Sequence, residues 1–246
     1  MMDRPFPIRY VTVDPSADLR VAVSFARRDA GLQEAIAALD RVFAQLERFG
    51  SAGGFAGNMC PPARSIVTRL APFVHDAGPT EWPFTIANID PSLLFFVGNI
   101  LHRHALDEAA ITQVSIASSL WNAGAPVPPP PTYFKPLPFD FENCIEGRRV
   151  VVTVRFANEV SNSIRAVFED VWQAWLCLAG AGAFSDESFD IRRSTLLVVE
   201  PPLSLPDEIM FVHDRAMIAR SGFDCLVNTL HSMHVRLAPL EEVVFS

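Results

Sequence analysis

Two hydrophobic periods alternate along this chain, one that repeats every second position and one that repeats every third or fourth. Arg20–Ala26 and Val151–Ala157 follow the first period, which is typical of strands with one buried face. Each is followed by a segment with the second period, which predicts an amphipathic helix. The apolar positions of those segments are Leu32, Ile36, Leu39, Phe43 and Leu46, and then Ile164, Val167, Val171, Trp175 and Leu178. The same strand-and-helix pattern therefore occurs twice.

The repetition extends beyond these elements. Arg64–Pro72 matches Arg193–Pro201 when the second half of the chain is shifted onto the first, and the same shift aligns further residues. These are Ser92 with Ser221, Asn99-Ile-Leu-His102 with Asn228-Thr-Leu-His231, and Val114 with Val243. One constant shift that links separate segments predicts the duplication of an ancestral unit.

The predicted order in each copy is strand, helix, strand, strand, helix, strand, which is the βαββαβ order of a ferredoxin-like unit. The predicted strands are 20–26, 65–71, 83–89, 111–118, 149–157, 194–200, 208–213 and 240–245, and the predicted helices are 31–49, 91–105, 161–179 and 222–235. The fold class is therefore α+β, with two tandem ferredoxin-like units related by pseudo-twofold symmetry. Each unit is expected to have an antiparallel sheet with helices on one face, and the open faces or edge strands are expected to pack together.

The repeat also sets the predicted domain boundaries. The first copy covers residues 1–118 and includes an N-terminal extension with one extra strand at Ile8–Val13, and the second copy covers 149–246. Residues 119–148 form the linker between them, in which Ala125–Pro138 is rich in proline. Such a segment favours polyproline II and excludes a helix, so it is either a stiff spacer or a ligand for an SH3-type domain.

Composition narrows the classes of partner. The 246 residues carry a formal net charge of −8, and the pI is about 5.2. A nucleic-acid partner is not expected, because phosphate-backbone binding needs a clustered basic surface. No signal peptide and no membrane span are predicted. The four cysteines are widely spaced, which indicates reduced thiols and a cytoplasmic location. The oligomeric state stays open.

Asn99, His102, Asn228 and His231 are the polar residues that recur at matching positions. An asparagine and a histidine three positions apart lie on one side of a helix, and here this side faces away from the sheet of the same copy. One interpretation is a small-molecule or catalytic site between the copies, with the histidines as acid, base or metal ligand. The other is hydrogen bonding between the copies, inherited from an ancestral dimer, and the sequence favours it.

Neither a metal nor a cofactor is expected from the remaining motifs. The pairs His102/His104 and His231/His234 lack the i, i+4 spacing and the third ligand of a zinc helix. Gly50–Gly57 follows a helix, so it lacks the helix N-terminus that would hold a phosphate. We find no nucleophile elbow, phosphate-binding loop or dinucleotide motif. The sequence therefore favours a non-enzymatic protein.

Aromatic and acidic residues suit recognition of another protein. Trp121 lies beside the linker as a candidate anchor, and acidic residues such as Glu187 and Asp190 are expected to attract a basic partner. The segment Ser119-Leu120-Trp121-Asn122-Ala123-Gly124 resembles the Ser-Leu-Trp-Asn-Gly segment in one group of bacterial polymorphic-toxin immunity proteins. Ala123 stands where those proteins have the glycine. The resemblance implies a compact cytosolic protein that neutralises a toxin by binding it, with Trp121 as a contact.

Overall fold

The computed structural model describes most of the chain. The described residues are 7–11, 18–26, 30–57, 61–74, 78–108, 111–120, 126, 132–146, 149–185, 200–214 and 218–246. Residues 7–120 are called the first half below, and residues 132–246 are called the second half. Each half contributes one sheet and two helices among the described residues.

The first sheet has six strands, which are β1 (Ile8–Val11), β2 (Leu19–Phe25), β3 (Ile66–Arg69), β4 (Phe73–Val74), β5 (Thr80–Ala87) and β6 (Ile111–Ser118). Their order is β1-β6-β2-β5-β3, and β4 also pairs with β5. Buried and partly exposed residues alternate along β2 and β5, as the period of two predicts. Leu19, Val21 and Val23 supply the buried side of β2.

The second sheet has five strands, which are β7 (Asp140–Asn143), β8 (Arg149–Phe156), β9 (Leu203–Ser204), β10 (Glu208–Asp214) and β11 (Leu240–Phe245). Their order is β7-β11-β8-β10-β9. The connectivity follows that of the first sheet, because β7, β11, β8, β10 and β9 take the places of β1, β6, β2, β5 and β4. A matching bond also lies next to the central strands: Leu70 N donates to Pro83 O, and Glu200 N donates to Val212 O.

The sheets are mixed, so the prediction of antiparallel sheets is wrong at one edge of each. β1 pairs with β6 in parallel, and β7 pairs with β11 in parallel. In each half an additional strand, β1 or β7, precedes the first strand of the predicted βαββαβ unit and pairs with the free edge of its last strand. The backbone groups of β6 and β11 are thereby hydrogen-bonded on both sides. Neither strand is left with the unpaired N–H and C=O groups of an edge strand.

The helices are α1 (Ala30–Ser51), α2 (Leu93–Glu108), α3 (Asn162–Gly180) and α4 (Arg220–Arg236). Phe43 of α1 contacts Trp82 of β5 with ring centroids 5.4 Å apart, and α3 and α4 cover the inner face of β8 and β10. Helices α1 and α3 pack against each other. The helical layers of the two halves therefore meet between the sheets, and the expected packing through open sheet faces is wrong.

The second and fourth helices explain this arrangement. In α2, residues 93–103 are buried except for Phe95, and in α4 residues 222–230 are all buried. A helix that is buried on every side needs neighbours on every side, whereas a helix that covers only its own sheet exposes one face. Phe96 of α2 contacts Phe184 of the second half at a centroid distance of 5.6 Å, and the buried core includes residues of both halves.

Most predicted elements lie within a few residues of the observed ones. The extra strand predicted at Ile8–Val13 is found as β1, and β7 falls inside the segment 119–148 that was predicted as a linker. The strand predicted at 194–200 lies outside the described residues except for Glu200. Within the described part of the chain, none of the helices combines the length and the apolar character that crossing a membrane requires.

Candidate functional site

The side chain of Asn99 joins the two halves. Asn99 lies on α2 and is buried, and its Nδ2 donates to the carbonyl oxygens of Ala183 and Ser185, at 3.1 and 2.8 Å. Both carbonyls belong to the loop that follows α3 in the second half, here called the α3 loop (Ala181–Ser185). A buried amide that donates to two backbone acceptors fixes the helix against the loop.

Asn228 makes the corresponding contact in the opposite direction. It lies on α4 and is buried, and its Nδ2 donates to the carbonyl oxygen of Ala56. Ala56 belongs to the α1 loop (Ala52–Gly57) of the first half. The Oδ1 atom of Asn228 accepts a hydrogen bond of 2.7 Å from Phe134 N. Each half thus supplies a helix that binds to a loop of the other half.

The two loops share one backbone conformation. Gly53 has a φ of 99° and Gly182 has a φ of 80°, and the four backbone hydrogen bonds donated within 52–56 recur with the same spacing within 181–185. A Cβ atom on Gly53 would lie 2.8 Å from Cβ of Ser232, and one on Gly182 would lie 3.0 Å from Cβ of Arg103. The glycines therefore allow both the turn and the close approach of the opposite helix.

The histidines predicted as candidate acids, bases or ligands lie in packed surroundings. His102 is buried with 1% of its surface exposed, and the half-buried His231 contacts the ring of Phe134 at 5.5 Å. Burial, and then the nearby His234, lower the pKa of His231. His234 accepts a hydrogen bond at Nδ1 from Leu240 N and contacts Phe139. The segment before β7 thus covers this side of α4.

His213 is a further buried histidine, inside the second half. Trp172, Trp175 and Phe223 surround its ring at centroid distances of 5.3, 5.2 and 6.3 Å. Burial lowers its pKa, against the hydrogen bond with the carbonyl of Asp214, so the neutral ring is favoured. This position is part of the core, with 1% of the residue exposed.

The outer face of the second sheet has an apolar centre. Val151 of β8 pairs with Val212 of β10, and Thr153 lies between Met210 and Val244. These side chains alternate with the buried residues of the same strands and are therefore directed away from the helices. We call Val151, Thr153, Met210, Val212 and Val244 the central strip.

Carboxylates surround the central strip. They are Asp140 and Glu142 of β7, Glu208 and Asp214 of β10, and Glu242 of β11. Arg149 and Arg155 are the cations of these strands on the same face. Arg155 lies between Glu242 and Glu208, at 2.6 and 3.6 Å, and Arg149 pairs with Glu200 at 2.6 Å. The strand residues of this face therefore carry an excess of negative charge.

The outer face of the first sheet differs. Its side chains include Arg20, Ala22, Glu81, Pro83 and Thr85, of which Arg20 and Glu81 form an ion pair at 3.6 Å. Arg9 and the exposed Ile66 and Phe73 lie on this face too, so it has apolar residues, but its described strand residues do not surround them with carboxylates. The two sheets share their strand order but not the chemistry of their outer faces.

A groove lies where the halves meet at the ends of α1 and α4. Its volume is about 290 Å³, and its lining consists of Arg48, Ser51, Ala52, Val167, Val171, Ser232, Met233, Arg236 and Leu237. Neither His102 nor His231 lines it. The catalytic interpretation, in which those histidines face a pocket between the copies, therefore has no support from this groove.

Three of the predicted binding residues cannot be placed. Trp121, Glu187 and Asp190 lie outside the described residues. Within the ranges that are described, no three histidine, cysteine, aspartate or glutamate side chains come together as they would around a metal ion. No protein-family model matches the sequence, and a search of curated proteins finds no significant match.

Sequence reasoning missed both the acidic outer face and the groove. Asp140 and Glu142 were assigned to a linker, so their place beside Glu242 depended on an unpredicted strand pairing. A difference between the two repeats could have indicated the groove. Ser232 occupies the place at which the aligned repeat has Arg103, and a loss of side-chain volume at an interface leaves space.

Proposed function

We propose that this chain is a non-enzymatic protein-binding protein that acts in the cytoplasm, and that its partner is a basic protein such as the toxin domain that an immunity protein inhibits. The observation that carries the proposal is the outer face of the second sheet, where the apolar central strip is surrounded by carboxylates. An apolar centre with a polar rim is the usual composition of a protein interface.

The recurrent polar residues support this choice by elimination. Asn99 and Asn228 use their amides to join the halves, and His231 is covered by Phe134. The amides are engaged within the fold and the ring of His231 is packed, which favours a structural role for these residues. Recognition through an outer surface explains the sequence with fewer assumptions than catalysis does.

The charge distribution defines the mechanism that we propose. Asp140 and Glu142 are exposed, and they are directed outwards beside Glu242. Carboxylates at a rim accelerate the encounter with a basic partner, whereas the apolar centre supplies affinity once water is excluded. Inhibition then follows from occlusion of the partner's own site.

We also infer that the halves are copies of one ferredoxin-like unit, extended at one edge by a parallel strand. The support is the matching strand order, the recurrent loop hydrogen bonds and the reciprocal asparagine contacts. In this view α1 and α3 lie near the pseudo-twofold axis. The first half supplies the scaffold, and the acidic outer face of the second half has diverged to bind the partner.

Titration against the toxin domain encoded beside this gene tests the proposal. We expect a stable complex, protection of cells that express the toxin, and an association rate that falls as salt increases. The double variant Asp140→Lys with Glu142→Lys is expected to weaken binding by about tenfold or more, mainly through slower association.

The matched control is Glu34→Lys, which changes the charge of an exposed residue on α1. Helix α1 belongs to the first half and is not part of this face. It is expected to leave affinity unchanged within about a factor of two. Absence of both complex and protection would refute the proposed function. Equal weakening by the control and the double variant would refute the assignment of the outer face.

A further inference from the structure

We propose that the groove between α1, α3 and α4 binds an aliphatic carboxylate, with the carboxylate held by Arg236 and Ser232 and the hydrocarbon chain against α3. The proposal concerns a different surface from the acidic outer face and does not depend on the protein-binding function. The groove has a volume of about 290 Å³, which is close to the lower end of the range for small-molecule pockets, about 300 Å³.

The two sides of the groove differ in chemistry. Arg48 and Ser51 come from α1, and Ser232 and Arg236 come one turn apart on α4. Arg236 Nη1 donates to the carbonyl oxygen of Ser51 at 2.8 Å, which holds the guanidinium at the groove. Ser51 Oγ is bonded to the backbone of Val67, and Arg48 pairs with Asp170 at 3.7 Å. Arg236 and Ser232 are therefore the groups of this side that a ligand would meet.

The other side is apolar. Val167 and Val171 lie one turn apart on α3, and Leu237 follows the end of α4. Val167 is 40% exposed and Leu237 is 42% exposed, so apolar surface remains in contact with water at the groove. A ligand with a charged head and an apolar chain matches both sides, because its head is paired while its chain removes this surface from water.

Ser232 is the observation that points to a ligand. Its side chain lines the groove, and only 1% of the residue's surface is exposed. Oγ has no hydrogen-bond partner among the described residues. A buried hydroxyl without a partner is costly, and rotation of the Ser232 side chain towards the groove would let a carboxylate oxygen accept from Oγ and remove the cost.

Arg103 occupies the corresponding place in the first half. Arg103 lies against Gly182 there as Ser232 lies against Gly53 here, and Arg103 is 7% exposed. A buried arginine fills the volume that serine leaves open. The residue at this place of the interface therefore differs between the halves, although the architecture is repeated.

Isothermal titration calorimetry of the full chain with octanoate tests the proposal. Acetate has the charge without the chain, and octanol has the chain without the charge. We expect saturable binding of octanoate at one site, and binding at least about tenfold weaker for each of the other two. Equal binding of octanol would overturn carboxylate recognition, and absence of saturable octanoate binding would overturn the site.

Substitutions locate the site. Arg236→Gln is expected to weaken octanoate binding by about tenfold to a hundredfold, and Ser232→Ala by about threefold to tenfold. Arg20→Gln is the matched control, because Arg20 lies on the first sheet and its side chain is 43% exposed, close to the 50% of Arg48 in the groove. If Arg236→Gln and Arg20→Gln bind octanoate equally well, the assignment is wrong.

Discussion

Gly53 and Gly182 show how single residues hold the two halves at a close distance. Both have a positive φ, and both lie against Cβ of a residue on the opposite half's helix. At Gly53 an added methyl group would also approach the carbonyl oxygen of Pro62 to 2.9 Å. Backbone conformation and interface packing therefore require glycine at the same position.

Replacement of Gly53 by alanine is expected to lower the free energy of unfolding by about 2–4 kcal/mol, because the cost of a left-handed conformation and the cost of a backbone clash add up. Gly180→Ala is the matched control. Gly180 ends α3, and a Cβ there would have no atom within 4 Å. This control is expected to raise the free energy of unfolding by about 0.5–1 kcal/mol. Urea denaturation of both variants measures the difference, and equal effects would contradict the close approach.

At the residue scale, the repeat in the sequence pointed to the right amides but not to their partners. Asn99 and Asn228 were predicted to face away from the sheet of their own half, and both are directed to the other half. Their acceptors are backbone carbonyls of loops, which carry no residue-specific signal. The packing of His231 against Phe134 could not be predicted from the sequence either, because it depends on the path of a proline-rich segment.

At the element scale, hydrophobic period predicted the helices and central strands because each has a buried face of its own. The strands β4 and β9 have two residues each, which is too few for a period to be recognised, and the four residues of β7 include only one apolar side chain. Their place is set by pairing with β5, β11 and β10. Pairing between distant segments is a tertiary property, so parallel edges were not predicted.

The joining of α4 to the α1 loop gives a prediction at this scale. Asn228→Ala removes the donor to the Ala56 carbonyl and the acceptor for Phe134 N, and leaves both groups buried or partly buried. We expect a loss of about 2–4 kcal/mol in the free energy of unfolding. The equivalent change at the exposed Asn158 is expected to cost less than about 0.5 kcal/mol.

Chemical denaturation of the two asparagine variants provides the measurement. If Asn228 serves a ligand and not the fold, Asn228→Ala will have the stability of Asn158→Ala. A large loss would instead assign Asn228 to the interface between the halves, as its contacts indicate.

At the scale of the whole molecule, the two halves form one core. Phe184 of the α3 loop contacts Phe49 at 6.0 Å and Phe96 at 5.6 Å, so an aromatic cluster crosses the interface. Neither half can be removed without exposure of this cluster and of α3, which packs on α1. Burial of that apolar surface is a large part of what stabilises each half.

Separation of the halves tests whether they descend from a dimer. A fragment of residues 132–246 would expose the surfaces that normally contact the first half, and a second copy of the fragment offers a similar surface. We expect a symmetric homodimer in which Asn228 donates to the Ser185 carbonyl of the partner, as Asn99 does in the full chain. Ser232 is small enough to lie against Gly182, where Arg103 lies in the full chain.

Size-exclusion chromatography with light scattering should give the mass of a dimer for this fragment, with a folded spectrum by circular dichroism. Asn228→Ala is expected to shift the fragment towards unfolded monomer at micromolar concentration, because folding and association are coupled when the core is shared. Asn158→Ala should leave the dimer intact. A folded monomer of residues 132–246 would mean that the interface is not needed for folding, and that the reciprocal contacts of Asn99 and Asn228 arose after the halves were already stable.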